Sequence, residues 1–412
     1  MTTVVRDTPP YRPGPWRLVP PVPYRPLHAA VARRLLTRVA AQLPVRVVLP
    51  DGEVVGTAPD GPATLHIHDH AFFHRVGADA LVGFGESFMA GEWDAEDPAA
   101  ALTPFAARMG TLVPAWLQRL RRWYVRYQPD GARNPPERAR KHIEHHYDLS
   151  NELFARFLDS SMTYSSGFFR PGDTLEAAQA RKIDRLLDRL QVGAGTRLLE
   201  IGTGWGALAV RAAERGAHVT TVTLSTEQCE AARTRAAQAG VAERVDVRLS
   251  DYRHLDGTWD AVVSVEMIEA VGAPHWREFV EALDRFVVPG GRVGVQAIVL
   301  PHDRMLATLN QLTWIHKYIF PGGALPSVEE LTRLTQAHTR LRLHDTLAFG
   351  QSYATTLRAW RDRFTHAADD VEALGFDATF RRMWIFYLAY CEAGFASDYL
   401  NVVQLVWERQ DA

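Results

Sequence analysis

Residues 141–154, KHIEHHYDLSNELF, place His142, Glu144, His145, His146 and Asp148 within seven positions. Imidazoles and carboxylates at that density can hold a metal or move a proton. His142 and His146 are four apart, a spacing that lets two imidazoles on one helix face share a zinc ion. No cysteine is near, and the helical pattern begins only at Asp148 or Ser150. We therefore expect no metal: His146 reads as a structural residue, and the part played by Glu144 stays open on the spacing alone. His66, His68 and His70 read as strand-surface residues. A second stretch, LLEIGTGWGALAVRAAERG, runs from a strand carrying Glu200 through Gly202, Gly204 and Gly206 into a helix. Glycines there permit positive φ and let a ligand approach the backbone. The spacing is G-x-G-x-G, not the G-x-G-x-x-G expected over a pyrophosphate. A tight turn without a ligand is the competing reading.

The elements around these residues set the fold. From TRLLEIG onward, strands and helices alternate: HVTTVTL, TEQCEAARTRAAQAG, RVDVRLS, DAVVSVEM, WREFVEALDRFV and RVGVQAIVL. Such alternation predicts an α/β domain with a doubly wound, mostly parallel sheet. Helices are expected near 148–158 and 174–189, ahead of the sheet. The N-terminal part differs. A Pro-rich start is followed by a helical pattern at 27–43 and by short strands with turns at Asp51-Gly52 and Asp60-Gly61. The stretch QPDGARNPPERAR breaks the pattern. We read residues 1–130 as a smaller α+β domain, 131–141 as a linker and 142–412 as the α/β domain. The aromatic segment RMWIFYLAYCEAGFASDYLNVVQLVW is expected to line an apolar cavity.

The whole chain has 412 residues with a net charge of −2, so no global field draws it to nucleic acid. Its two cysteines, Cys229 and Cys391, lie in unrelated contexts, which fits a reducing cytoplasm. The Arg- and Pro-rich start has no apolar run, so we expect no signal peptide, and no uncharged run approaches the length of a membrane span.

Six motifs occur in order: HYDLSNELF, MTYSSGFF, LLEIGTGWG, VTLSTEQ, WIHKYIFPGGALPS and FGQSYATTLRAW. Together they resemble the cyclopropane-fatty-acyl-phospholipid synthase and mycolic acid methyltransferase family. GFGESFMAGEWD resembles the extra N-terminal domain of the phospholipid enzymes, which implies a lipid-handling or interaction role for residues 1–130. The resemblance implies a Rossmann-like class I methyltransferase fold with helical additions, using S-adenosyl-L-methionine (SAM). It assigns Tyr164 and Ser165 to SAM contacts ahead of the sheet. It places Gly202, Thr203 and Gly204 under the amino-acid part, and Thr223, Leu224 and Gln228 along the ribose and adenine wall. Tyr252 and Arg253 fall beside the adenine. VTLSTEQ has no acid where many methyltransferases hold the ribose, a feature this family shares.

The implied reaction is methyl transfer to the cis double bond of a long acyl chain. The sulfonium methyl is a strong electrophile, so no protein nucleophile is needed. The protein aligns the reactants, excludes water, steadies a carbocation and removes one proton. The resemblance implies bicarbonate as the base, in a cradle matching Ser166, Glu269, Gln296, Ile298 and Tyr353. Ser166 stands where cysteine is usual, Gln296 where histidine is usual, and Ala270 also replaces a common histidine. Losing an imidazole weakens an anion site. We read Glu144 as a built-in base in its place; a solvated charge, or pairing with His142 or Lys141, is the competing reading. A moved base favours a 10-methylene acyl chain, the first step toward 10-methyl (tuberculostearic) fatty acids of actinobacteria. Cyclopropanation with bicarbonate is the alternative product, and an inactive lipid- or SAM-binding subunit the further one. The methylene reading implies a flavin-dependent reductase partner, in a homo- or hetero-oligomer. The segment WLQRLRRWYVRY interleaves aromatic and basic residues and, with the arginines of the first forty residues, predicts peripheral attachment to the inner membrane face.

Overall fold

The computed structural model describes residues 19–109 and 150–411. Glu144, the 142–148 histidine cluster, the 131–141 linker and the 116–127 basic-aromatic stretch all lie outside the described residues.

The alternating C-terminal pattern forms a seven-stranded sheet in the order β10-β11-β9-β8-β5-β6-β7. Its strands are β5 (Arg197–Ile201), β6 (His218–Thr223), β7 (Val245–Leu249), β8 (Trp259–Val265), β9 (Val287–Val299), β10 (Leu341–Ala348) and β11 (Asn401–Arg409). The five from β5 to β9 pair in parallel, and β10 and β11 close the edge antiparallel. Central β8 carries a nearly continuous apolar run because both its faces are covered. Strand β9 begins at Val287, five residues ahead of the predicted RVGVQAIVL, since the chain pairs with β8 as soon as the preceding helix ends.

Crossover helices follow the apolar pattern. In the helix Trp276–Phe286, buried Trp276, Phe279, Val280, Leu283 and Phe286 recur at three- and four-residue intervals. The helix Thr226–Gln238 starts where the Ser225 hydroxyl accepts from the Gln228 amide, and Leu175–Arg189 starts under Thr174 in the same way.

The N-terminal residues form a second sheet, β2-β1-β3-β4, from β1 (Arg46–Val48), β2 (Val54–Gly56), β3 (Leu65–Ile67) and β4 (Trp93–Asp94). The Asp51-Gly52 turn makes a β1–β2 hairpin, whereas β3 returns to pair parallel with β1. His66 and His68 stack on this sheet, and His68 pairs with Asp94. We label its helices α1 (Pro26–Ala40), α2 (Ala71–Met89) and α3 (Pro98–Ala107). This part is joined to the C-terminal aromatic helix Ala378–Ala396 by one continuous core that includes Phe88, Trp93, Trp384 and Phe386. Arg382 donates to the carbonyls of Phe88 and Trp93, and Arg361 bridges Asp97 and Glu392. The aromatic C-terminal segment therefore packs as core and interdomain seam, with Tyr387 reaching toward the site below. Among the described residues, no helix is long and apolar enough to cross a membrane.

Candidate active site

The glycine loop leaves β5 at the carboxyl edge of the sheet, where open α/β sheets bind ligands. Gly202, Gly204 and Gly206 have φ of +97°, +51° and +85°. A Cβ on Gly204 would meet nothing within 4 Å, whereas one on Gly206 would lie 2.9 Å from Ala232 Cβ. The first glycine is thus open toward a cleft, and the second lets two helices touch. The cleft is lined by this loop, by Tyr164 and Ser165, by Thr223, Leu224 and Gln228, and by Tyr252 and Arg253. All ten sequence-predicted cofactor residues fall on one cavity.

Its polar groups are held in place. Thr221 donates to buried Glu200 at 2.6 Å and shares a hydrogen bond with Thr203. Burial pushes the Glu200 carboxyl up to about 8. Thr223 donates to the Gln228 amide oxygen at 2.8 Å, and Arg253 grips Asp251 with two nitrogens. Tyr252 Oη is buried and has no partner among the described residues. An orphaned hydroxyl, a carboxylate and an open glycine on one wall fit SAM. Glu200 and the glycine loop would hold its amino-acid part, and Thr223, Gln228 and Tyr252 its nucleoside. When bound, SAM supplies an electrophilic methyl group.

Two charged residues that the sequence reading passed over also line this cavity. Lys182 is fully buried, and its Nζ donates to Ser165 Oγ at 2.6 Å. Burial lowers its ammonium to about 8, against the pull of Glu266, Asp159 and Glu200. The helical period was the available signal, because Lys182 sits on the buried face with Ala178 and Leu186. The other is Glu266, the residue that follows β8. Its position at a strand's carboxyl end, beside the glycine loop, was the available signal.

The five residues predicted for catalysis distribute as follows. Glu144 lies outside the described residues. The Ser166 amide donates to Glu266 Oε1 at 2.9 Å, while its hydroxyl turns to the Gly167 carbonyl. Gln296 Nε2 donates to the same Oε1 at 2.7 Å, and Tyr353 Oη donates to Oε2 at 2.6 Å. Glu269 stands apart: its Oε1 accepts from the Ile298 amide at 2.6 Å, and its buried Oε2 has no partner among the described residues. Burial first, then the neighbouring Glu266, pushes Glu269 up to about 8, so it is largely a neutral acid at pH 7. Of the groups that the resemblance assigns to bicarbonate, those of Ser166, Gln296 and Tyr353 therefore converge on Glu266, and the Ile298 amide is taken by Glu269. This donor set does not fit a free bicarbonate.

Comparison with known proteins agrees with this geometry. The family model described as mycolic acid cyclopropane synthetase matches residues 135–405. Tuberculostearic acid methyltransferase UfaA1 of Mycobacterium tuberculosis is 50% identical over 401 residues, 94% of each chain. Cyclopropane-fatty-acyl-phospholipid synthase of Escherichia coli is 34% identical over 359 residues, 84% of this chain and 88% of that one. The crystal structure of mycolic acid cyclopropane synthase CmaA1 complexed with SAH and CTAB matches with a TM-score of 0.61 and 27% identity, over 68% of this chain and 99% of that one. A match of this extent, on a cleft built for a nucleoside sulfonium, makes the chain a SAM-dependent methyltransferase that belongs to the mycolic acid cyclopropane synthetase family.

Proposed function

We propose that this enzyme adds a methyl carbon to the cis double bond of an oleoyl-type phospholipid chain, leaving a 10-methylene group. The observation that carries this reading is the part of the cofactor cleft lined by Tyr164 and Glu266, where aromatic side chains meet a carboxylate. Tyr164 lines the cleft and packs on Trp360, with its hydroxyl 2.8 Å from that of Tyr387. Tyr353 stacks on Phe395 with centroids 4.4 Å apart and reaches Glu266. Aromatic faces and carboxylates suit a carbocation formed in an apolar acyl channel. The extended similarity to a protein named a tuberculostearic acid methyltransferase supports methylation of a fatty acyl chain.

The π pair of the olefin bonds to the transferred carbon as the carbon–sulfur pair leaves with sulfur. A hydride shift moves the cation to the branched carbon, and loss of a methyl proton gives the methylene. Saturation then takes two electrons and two protons, which a flavin-dependent reductase partner would supply. Methyl-labelled SAM and dioleoyl phosphatidylglycerol, followed by ozonolysis and mass spectrometry of the fatty esters, test this. We expect cleavage to a ketone at the branched carbon; a product resistant to ozone is the cyclopropane and would overturn the methylene assignment.

Substrate delivery points to the membrane surface. Along α1, Leu27, Val31, Arg34 and Arg38 share one exposed helical stripe, and exposed Tyr24 precedes it. Apolar and basic residues on one face suit an anionic lipid interface. Sedimentation with vesicles containing phosphatidylglycerol is expected to retain the protein, and Leu27→Glu with Val31→Glu to weaken retention about tenfold. Equal retention by purely zwitterionic vesicles would contradict this surface.

A further inference from the structure

Glu266 has three features that no packing role requires. It is a half-buried carboxylate that lines the cofactor cleft. Its backbone sits at φ +49°, a left-handed conformation that costs a residue with a Cβ about 1–2 kcal/mol. Three donors, the Ser166 amide, the Gln296 amide group and the Tyr353 hydroxyl, converge on its two oxygens. Its own amide is tied to the Gln296 carbonyl at 2.8 Å, which fixes the strained turn. Strain held this firmly at a cleft wall marks a placed functional group.

We propose that Glu266 is the proton acceptor of the methyl transfer, an internal carboxylate occupying the place of a bound anion. This rests on the acyl-methylation reading above. The step balances. After methyl transfer and the hydride shift, one Glu266 oxygen takes a proton from the new methyl carbon, and the freed carbon–hydrogen pair becomes the π bond of the methylene group. Glu266 leaves the step as a carboxylic acid and returns its proton to solvent between turnovers. The surrounding charges suit that cycle. Burial raises the carboxyl, and Lys182 is the strongest opposing influence, ahead of Tyr353, Ser166 and Gln296. The protonated form of Glu269 adds no second negative charge.

Glu266→Gly is the informative variant, because glycine takes φ +49° freely and its missing side chain leaves the donors around an empty anion-sized space. In buffer purged of carbon dioxide, the wild-type enzyme is expected to turn over at full rate with or without added bicarbonate. Glu266→Gly and Glu266→Gln are expected to lose at least a hundredfold in kcat with KM for SAM nearly unchanged, and bicarbonate is expected to restore turnover to Glu266→Gly alone. A second readout needs no turnover: 13C-labelled bicarbonate followed by NMR is expected to bind Glu266→Gly saturably and the wild type not at all. Failure to methylate any acyl chain would sink the functional reading, while the bicarbonate titration still decides whether Glu266 fills the anion site. The proposal is overturned by a wild-type requirement for bicarbonate, or by full turnover of either variant without it. It is also overturned if kcat and SAM affinity are lost together and bicarbonate restores neither, which would give Glu266 a structural part.

Discussion

Lys182→Met is expected to lower kcat at pH 7 by roughly tenfold to a hundredfold, and to move the acidic limb of the pH–rate profile to higher pH. The sign follows from the cleft. Burial alone favours the neutral acid at Glu266, and the Lys182 ammonium is the largest influence holding it toward the carboxylate. Without that cation the carboxyl's pKa climbs further, so at a fixed pH more of the enzyme carries a protonated base that accepts nothing. Raising the pH restores the carboxylate and with it the rate. Methionine approximates the volume of lysine, and it removes a charge whose ionised form burial already disfavours. The fold should therefore persist, with a melting temperature at or above that of the wild type. A kcat–pH profile unchanged in position would separate Lys182 from the base and leave it only the support of Ser165.

Gly204 and Gly206 of the cofactor loop are expected to fail in opposite ways. Gly204→Ala places a methyl group where the protein has open space, at a φ of +51°. The backbone cost is about 1–2 kcal/mol, and the cofactor should lose at least tenfold in affinity by calorimetry, because the methyl stands on the wall it approaches. Gly206→Ala drives its methyl to 2.9 Å from Ala232 Cβ and 3.0 Å from Ala232 Cα, a contact with backbone that cannot swing away. Overpacking added to strain should cost about 2–4 kcal/mol in denaturant unfolding, with SAM affinity of the folded fraction preserved. A common loss of binding in both would mean that the loop acts as one unit and that the open side of Gly204 has been misassigned.

The α/β architecture was legible because each parallel strand is a short apolar run and each crossover helix repeats at three and four residues. The cleft lining was legible for a related reason: Gly202, Thr203 and Gly204 follow β5, and Leu224, Tyr252 and Arg253 follow β6 and β7, so that position in the chain fixes position at the carboxyl edge of the sheet. Glu266 was not legible. It is the third residue before Glu269, and the motif resemblance drew attention to Glu269 instead. Nothing in a one-dimensional pattern reports that Glu266 turns through left-handed φ, or that donors from residues 166, 296 and 353 meet on it. Lys182 was hidden by its type, since a lysine in a helix is ordinarily assigned to the solvated face. The packing of the N-terminal sheet on the Ala378–Ala396 helix was likewise invisible: partners some three hundred residues apart, such as Phe88 and Arg382, share no local signal.

The central claim is alkene methylation completed by proton loss to the protein's own carboxylate. Its most direct test is a single incubation of the wild-type enzyme, in bicarbonate-free buffer, with oleoyl phospholipid and SAM carrying a trideuterated methyl group. The account predicts a product acyl chain that retains two of the three deuterons, formed at the same rate when bicarbonate is returned. Retention of all three deuterons, or no product until bicarbonate is added, would contradict it.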